Sequence, residues 1–282
     1  MIKKQHFLIA LLTSAMAFAA DVPQRIVCLS PDLTEMVYGV GSFGRLVGAS
    51  DYESYPPEAA KLPKLGGLLN PNLEKIMSMR PDLVIINEGQ GLFIEDKLKD
   101  LGLRILKTSN KSLQEVYDSI RAIGQATGNE QLGIKLAITT REGVERVARK
   151  TARLPKVRVA LIVDRTPGTL LDLYTATEGS FYSELVEAAG GHLVAQPTKR
   201  GYAKLSKEDI LVMNPDVILD FIHGPKSRLA GNPMEAWQAM PELKAVRTHR
   251  VLGVNEDYVP HASQRVVQTA ELFARLIHPE AK

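Results

Sequence analysis

The sequence holds a single cysteine, Cys28, which excludes an internal disulfide framework and a multi-cysteine zinc site. Neither sign of charge is in excess: 35 Lys and Arg stand against 32 Asp and Glu, a formal net charge of +3 over 282 residues. Long apolar runs of about 18 residues are missing beyond the N-terminus, which excludes a polytopic membrane protein. With 45% hydrophobic residues and so little net charge, an intrinsically disordered chain is excluded as well. Catalytic signatures are also missing. There is no G-x-S-x-G elbow, no G-x-x-x-x-G-K-S/T loop and no G-x-G-x-x-G after a strand, so hydrolase, nucleotide and dinucleotide readings lack their sites. No H-x-H or H-E-x-x-H occurs either. Beyond the N-terminal segment His192, His223, His249, His261 and His278 are scattered singly, and neither a bare zinc or manganese site nor a resident cofactor is expected.

What is present begins with a leader. Lys3-Lys4 precede an apolar core from Phe7 to Leu12, and Ala17 and Ala19 flank Phe18. That order predicts a signal peptide over residues 1–19, cleaved after Ala19, and an exported mature chain. Cys28 lies well past the apolar core, inside the strand-like run Ile26-Val27-Cys28-Leu29, and reads as a buried core thiol rather than an acylation site. Loss of Lys3 and Lys4 leaves 33 basic residues against 32 acidic ones. The basic run from Arg146 to Arg153 is interleaved with apolar residues at helical spacing, a solvated helix face, so no nucleic-acid partner is expected.

From Gln24 the chain alternates short apolar runs with amphipathic stretches, the pattern of an α/β fold. After the first strand, Ser30-Pro31 reads as N-cap and first helical residue, with Leu33, Met36, Val37 and Val40 on one helix face. A short helix from Asn72 is stopped by Pro81 and followed by the strand Leu83-Val84-Ile85-Ile86; another strand spans Leu103 to Leu106, and helical spacing resumes from Leu113 to Ala126. Residues 129–154 hold no proline and read as one long helix, about 25 residues or on the order of 38 Å. Asn129 would cap it, Pro155 would stop it, and Gly133 or Gly143 could break it.

The alphabet then restarts, and the halves match. Leu73-Glu74-Lys75-Ile76 through Arg80-Pro81-Asp82-Leu83-Val84-Ile85 aligns with Lys207-Glu208-Asp209-Ile210 through Asn214-Pro215-Asp216-Val217-Ile218-Leu219 at an offset of 134. Arg25-Ile26-Val27 aligns with Arg158-Val159-Ala160 at 133, and Thr34-Glu35-Met36-Val37 with Ser183-Glu184-Leu185-Val186 at 149, with an extra loop from about Asp164 to Ser180 in the second half. Three matches in one order predict two similar α/β lobes, residues 20–128 and 155–282, bridged by the helix 129–154, with a ligand cleft between them.

Export, twin lobes and a helical bridge, together with Arg25-Ile26-Val27, Ser30-Pro31, Thr34-Glu35, Tyr55-Pro56-Pro57-Glu58, Asn72-Leu73-Glu74-Lys75-Ile76, Arg80-Pro81-Asp82 and the closing Arg265 and Ile277-His278-Pro279-Glu280, resemble the periplasmic substrate-binding proteins of ABC importers that carry cobalamin, ferric siderophores or haem. The resemblance implies two Rossmann-like lobes in a periplasmic, monomeric protein that is not an enzyme. It implies a small-molecule metal chelate as cargo and an ABC permease as partner, with Glu74 and Glu208 docking on permease arginines. The plain alternative for these acids is stabilisation of a helix N-terminus, worth about 0.3–1 kcal/mol. For cobalamin the resemblance points to Tyr52, Leu68, Asn87, Tyr202, Asp257 and Tyr258 as ligand-binding positions. Leu68 and Asn87 stand where the cobalamin-binding member has tryptophans. Lys199, Arg200 and Arg228 could instead hold an anionic ferric chelate, and for any one tyrosine the alternative is a half-buried packing residue.

Overall fold

The computed structural model describes residues 22–222 and 233–280; the expected leader, His223 and Arg228 lie outside the described residues. The first lobe is a four-stranded parallel sheet, β1 (Ile26–Cys28), β2 (Leu46–Ala49), β3 (Leu83–Asn87) and β4 (Ile105–Thr108), in the order β2-β1-β3-β4. Four helices accompany it: α1 (Pro31–Gly39), α2 (Leu73–Ser78), α3 (Glu88–Asp100) and α4 (Leu113–Ala126). The bridge is α5 (Glu130–Thr151). The second lobe holds β5 (Val157–Asp164), β6 (Leu173–Ala176), β7 (Gly191–Leu193), β8 (Tyr202–Leu205), β9 (Val217–Phe221) and β10 (Val251–Val254). Its helices are α6 (Phe181–Ala188), α7 (Lys207–Met213), α8 (Pro233–Trp237), α9 (Lys244–Arg247) and α10 (Val266–Ile277). Strands β3 and β9 are covered on both faces, which is why they are continuous apolar runs rather than alternating ones. Among the described residues no helix is long and apolar enough to cross a membrane.

The sequence repeat is a structural repeat. Ile26 pairs with Leu83 and Val27 with Val84; at the equivalent positions Val159 pairs with Val217 and Ala160 with Ile218. The strand order β2-β1-β3-β4 has its counterpart in β7-β5-β9-β10. Local chemistry repeats too: Asp82 accepts the Arg25 amide at 2.9 Å, and Asp216 accepts that of Arg158 at 3.1 Å. Helices α1 and α6 both run out into a left-handed glycine, Gly41 with φ 75° and Gly190 with φ 84°, a conformation that a Cβ would strain.

Several sequence expectations are corrected in detail. The segment from Asp164 to Ser180 is not only a loop: it contains β6, antiparallel to β5, and β8 adds antiparallel to β6. Leu173 and Thr175 point inward and Tyr174 outward, the period-two pattern of a strand. Helix α5 is unbroken, and its glycines mark close approaches instead of kinks. A Cβ on Gly133 would come within 3.0 Å of Gly124 Cα in α4, and one on Gly143 within 2.6 Å of Val267 Cγ2 in α10. Asn129 does not cap α5 with its side chain. Its Nδ2 donates to Val40 O at 2.8 Å and Ser42 Oγ at 2.9 Å, stitching the start of the bridge to the end of α1. Ser30 likewise turns its hydroxyl to Asp32 rather than to a helix amide.

The lobes are held by more than the bridge. One apolar cluster runs from Ile26 and Leu33 through Ala137, Val144 and Val147 of α5 to Leu161 and Phe273. Two crossed polar ties add to it. Glu184 of α6 accepts the Leu113 amide at the start of α4 at 2.9 Å. Its repeat partner Glu35 of α1 accepts from the segment that leads into α10. Each lobe thus grips the entry to the other lobe's last helix.

Candidate functional site

In open α/β sheets ligands sit beyond the carboxyl ends of the strands, and here those ends of the two lobes share a cleft. A pocket of about 340 Å³ is bounded by Tyr52 after β2, by Phe221 and Ile222 at the end of β9, and by Glu256, Asp257 and His261 after β10. A larger cavity, about 710 Å³, lies between α5 and α10, but no Phe, Tyr or Trp lines it and it shares no residue with the cleft. The cleft is the better site for a flat apolar ligand because it offers aromatic faces together with polar tips.

Its floor is a buried polar knot built by both lobes. Glu35 is fully buried; its Oε1 accepts from His261 Nδ1 at 2.8 Å and from Arg265 Nη1 at 3.0 Å, and its Oε2 accepts from the Ser263 hydroxyl. Gln264 Nε2 donates to the Glu35 carbonyl at 2.7 Å. Arg265 also reaches Asp257 Oδ1 at 3.2 Å and lies over the rings of Tyr55 and Tyr258, 4.5 and 5.0 Å from their centroids. The buried carboxylate is therefore met by a guanidinium, an imidazole and a hydroxyl, the condition under which a buried charge is tolerated. Burial pulls the His261 imidazole down, but the hydrogen bond to Glu35 and the charges of Glu35 and Asp32 outweigh it and raise its pKa above the ordinary value. Burial pushes the carboxyls of Asp32 and Glu53 up, against hydrogen bonds from Ser30 and Ser50. The Cys28 thiol, fully buried beneath them, is pushed well up by burial and is an inert core group.

The expected ligand residues fall into two groups. Tyr52 is 62% exposed and stands at the cleft, its hydroxyl close to Gly67. Leu68 is beside that turn, and its carbonyl accepts from Gln90 Nε2 at 3.2 Å. Asn87 is the N-cap of α3 in a capping box with Gln90, so its side-chain oxygen is engaged in positioning the helix. Asp257 lines the pocket and Tyr258 packs beneath Arg265. Tyr202, in β8, does not line the pocket; it reaches it through an edge contact to Tyr182, which in turn meets Phe221. Lys199 and Arg200 are exposed and do not line it either. Some exposed apolar residues escaped the sequence reading: Leu92 and Phe93, 82% and 55% exposed on the first turns of α3 after the carboxyl end of β3, and Leu69, 65% exposed. The pairing of Glu35 with Arg265 and His261, more than 220 residues apart in sequence, gave no signal.

The family model described as periplasmic binding protein matches residues 26–258. The chain belongs to the periplasmic binding protein family. A vitamin B12-binding protein of Vibrio cholerae is 30% identical over 252 residues, covering 88% of this chain and 87% of the relative. An uncharacterized ABC transporter substrate-binding lipoprotein of Bacillus subtilis is 30% identical over 263 residues, covering 92% and 81%. The crystal structure of the periplasmic vitamin B12 binding protein of Vibrio cholerae superposes with a TM-score of 0.77 at 28% identity, covering 91% of this chain and 97% of that one. A periplasmic heme-binding protein of Roseiflexus shares the fold, with a TM-score of 0.79 at 24% identity and coverage of 92% and 99%. This periplasmic binding protein family serves transport rather than catalysis, so its small molecules are cargo and not cofactors.

Within this binding-protein frame the two acids singled out by the repeat stand in matching places. Asn72 caps α2 by accepting the Lys75 amide, Ser206 caps α7 by accepting that of Asp209, and Glu74 and Glu208 project from the first turns, exposed. Among the described residues neither forms an ion pair.

Proposed function

We propose that the protein is the periplasmic solute-binding component of an ABC import system, capturing cobalamin and delivering it to an inner-membrane permease. The observation that carries the cargo assignment is the charge of the cleft. Its wall presents Tyr52, Phe221 and Ile222 together with Glu256 and Asp257. Among the described lining residues the only basic side chain is His261, held by Glu35, and Arg265 behind it is committed to Glu35 and Asp257. A wall of this kind suits a flat corrin with neutral amide arms that accept and donate hydrogen bonds, and it repels an anionic ferric chelate. The vitamin B12-binding relatives support the same choice. A ferric siderophore or haem is the second reading, favoured by exposed Lys199 and Arg200 before β8.

Delivery follows from the lobes. Glu74 and Glu208, one on each, are the proposed docking points for permease arginines, and the protein acts as a monomer whose lobes, residues 20–128 and 155–282 about the bridge 129–154, are pried apart by the permease. The leader 1–19 would place it in the periplasm.

Calorimetric titration of the mature chain with cyanocobalamin, a ferric hydroxamate, a ferric catecholate and haemin tests the cargo. One-to-one binding of cyanocobalamin, tighter than that of the iron chelates, is expected; a preference for either siderophore would overturn it. A Glu74→Ala/Glu208→Ala variant should keep cobalamin affinity and lose uptake in cells. Loss of affinity instead would move these acids into the ligand site.

A further inference from the structure

Resting on the chelate-binding reading, we infer that His261 is a ligand to the cargo's metal: its Nε2 occupies an exchangeable axial position of a cobalt or iron macrocycle seated in the cleft. The imidazole lines the pocket with its side chain 13% exposed, and its Nδ1 is turned onto Glu35 Oε1 at 2.8 Å. That leaves Nε2 as the ring nitrogen not engaged by Glu35, on a residue that lines the pocket, and among the described residues it has no hydrogen-bond partner. A ring whose Nδ1–H is donated to a carboxylate is fixed in tautomer and orientation and made more basic, the arrangement found behind metal-ligating histidines. The carboxylate is fully buried and is itself held by Arg265 and Ser263, so the ring cannot swing away without breaking the knot. Tyr52 on the pocket lining supplies a face for the macrocycle, and no cluster of three or more His, Cys, Asp and Glu exists among the described residues to bind the metal by itself. A single histidine is what a chelate needs when its ring already supplies the other ligands.

The step is a ligand exchange. The Nε2 lone pair forms a bond to the metal, the bond from the metal to water breaks, and the water leaves to solvent with no change of oxidation state. Nδ1–H stays on Glu35. Where the imidazole is protonated, the Nε2 proton passes to solvent first, so proton and metal compete. The groups that set this competition are Glu35 and Asp32 from α1, Arg265 at the start of α10, and Glu256 and Asp257 on the pocket wall.

Visible spectra of the full mature protein with aquocobalamin, cyanocobalamin and haemin test the inference. Aquocobalamin bound to the wild type should show the band shift of water replaced by imidazole, lost in His261→Ala and His261→Gln and lost reversibly at acid pH. Its affinity should fall by about tenfold or more in both variants, a larger loss than that of cyanocobalamin, whose axial position is blocked and which keeps only the packing contact with residue 261. A wild-type complex with an unshifted spectrum, or a shift retained without His261, overturns the ligation. If only haemin binds, the cobalamin assignment falls, and a Soret shift dependent on His261 decides the ligation alone. Binding of none of the three overturns both.

Discussion

Glu35 and Glu184 occupy the same position in two copies of one strand–helix unit, and the lobes use them differently. Glu35 is fully buried under residues 261–265 and carries bonds from His261, Ser263 and Arg265. Glu184 is exposed and holds one helix amide, that of Leu113. The difference lies in what crosses over each acid. A whole segment folds over α1 and builds the cleft floor, whereas α6 meets only the bare first turn of α4, where a carboxylate suits the helix dipole. A duplicated scaffold therefore supplies two equivalent anchor points, of which one lies beneath the proposed ligand cleft.

Breaking the ties should expose that asymmetry. Replacement Glu35→Ala leaves a guanidinium and an imidazole without their buried partner and should cost about 3–5 kcal/mol in urea unfolding, whereas Glu184→Ala loses a single hydrogen bond, about 1 kcal/mol. Equal costs would mean that the knot has no special standing. The aromatic side chains provide the next contrast. Tyr52→Ala should weaken cobalamin binding by about 1–3 kcal/mol, and Tyr202→Ala, which acts only through Tyr182, by less than about 1 kcal/mol; equal losses in calorimetry would place Tyr202 on the ligand.

Two smaller effects sharpen the picture. Gly143→Ala would press a Cβ against Val267 and loosen the seat of α10 on the bridge, an overpacking cost of about 1–3 kcal/mol. It should lower the melting temperature more than Gly102→Ala, where a Cβ meets open space and only the left-handed φ of 72° is strained. The pH response is the subtlest. Because the folded state raises the His261 pKa, the stability from this pair is fully present below the ordinary histidine pKa of about 6.5 and is lost as pH rises through the raised value. The melting-temperature difference between wild type and His261→Gln should therefore shrink toward alkaline pH, and a difference growing with pH would contradict the assignment.

The lobes, the bridge and the symmetric acids were legible because they are local and repeated: a cap, a proline stop and an apolar run appear twice at a constant offset. The antiparallel strands β6 and β8 were not, since they interrupt the repeat in one copy only and are four residues each. Asn87 reads as a ligand position from resemblance, and its side-chain oxygen also caps α3, a role its sequence neighbourhood did not announce. His261 looked like one scattered histidine among several because its partner, Glu35, lies at the other end of the chain, and nothing local marks a contact made by chain crossing. Leu92 and Phe93 carried no sequence signal, because nothing local distinguishes an exposed apolar pair on α3 from a buried one.

The account turns on where a chelate sits. A crystal structure of the mature chain with cyanocobalamin should place the corrin between Tyr52 and the wall formed by Phe221, Asp257 and His261. Density for the corrin between α5 and α10, or on the outer face by Glu74 and Glu208, would contradict it.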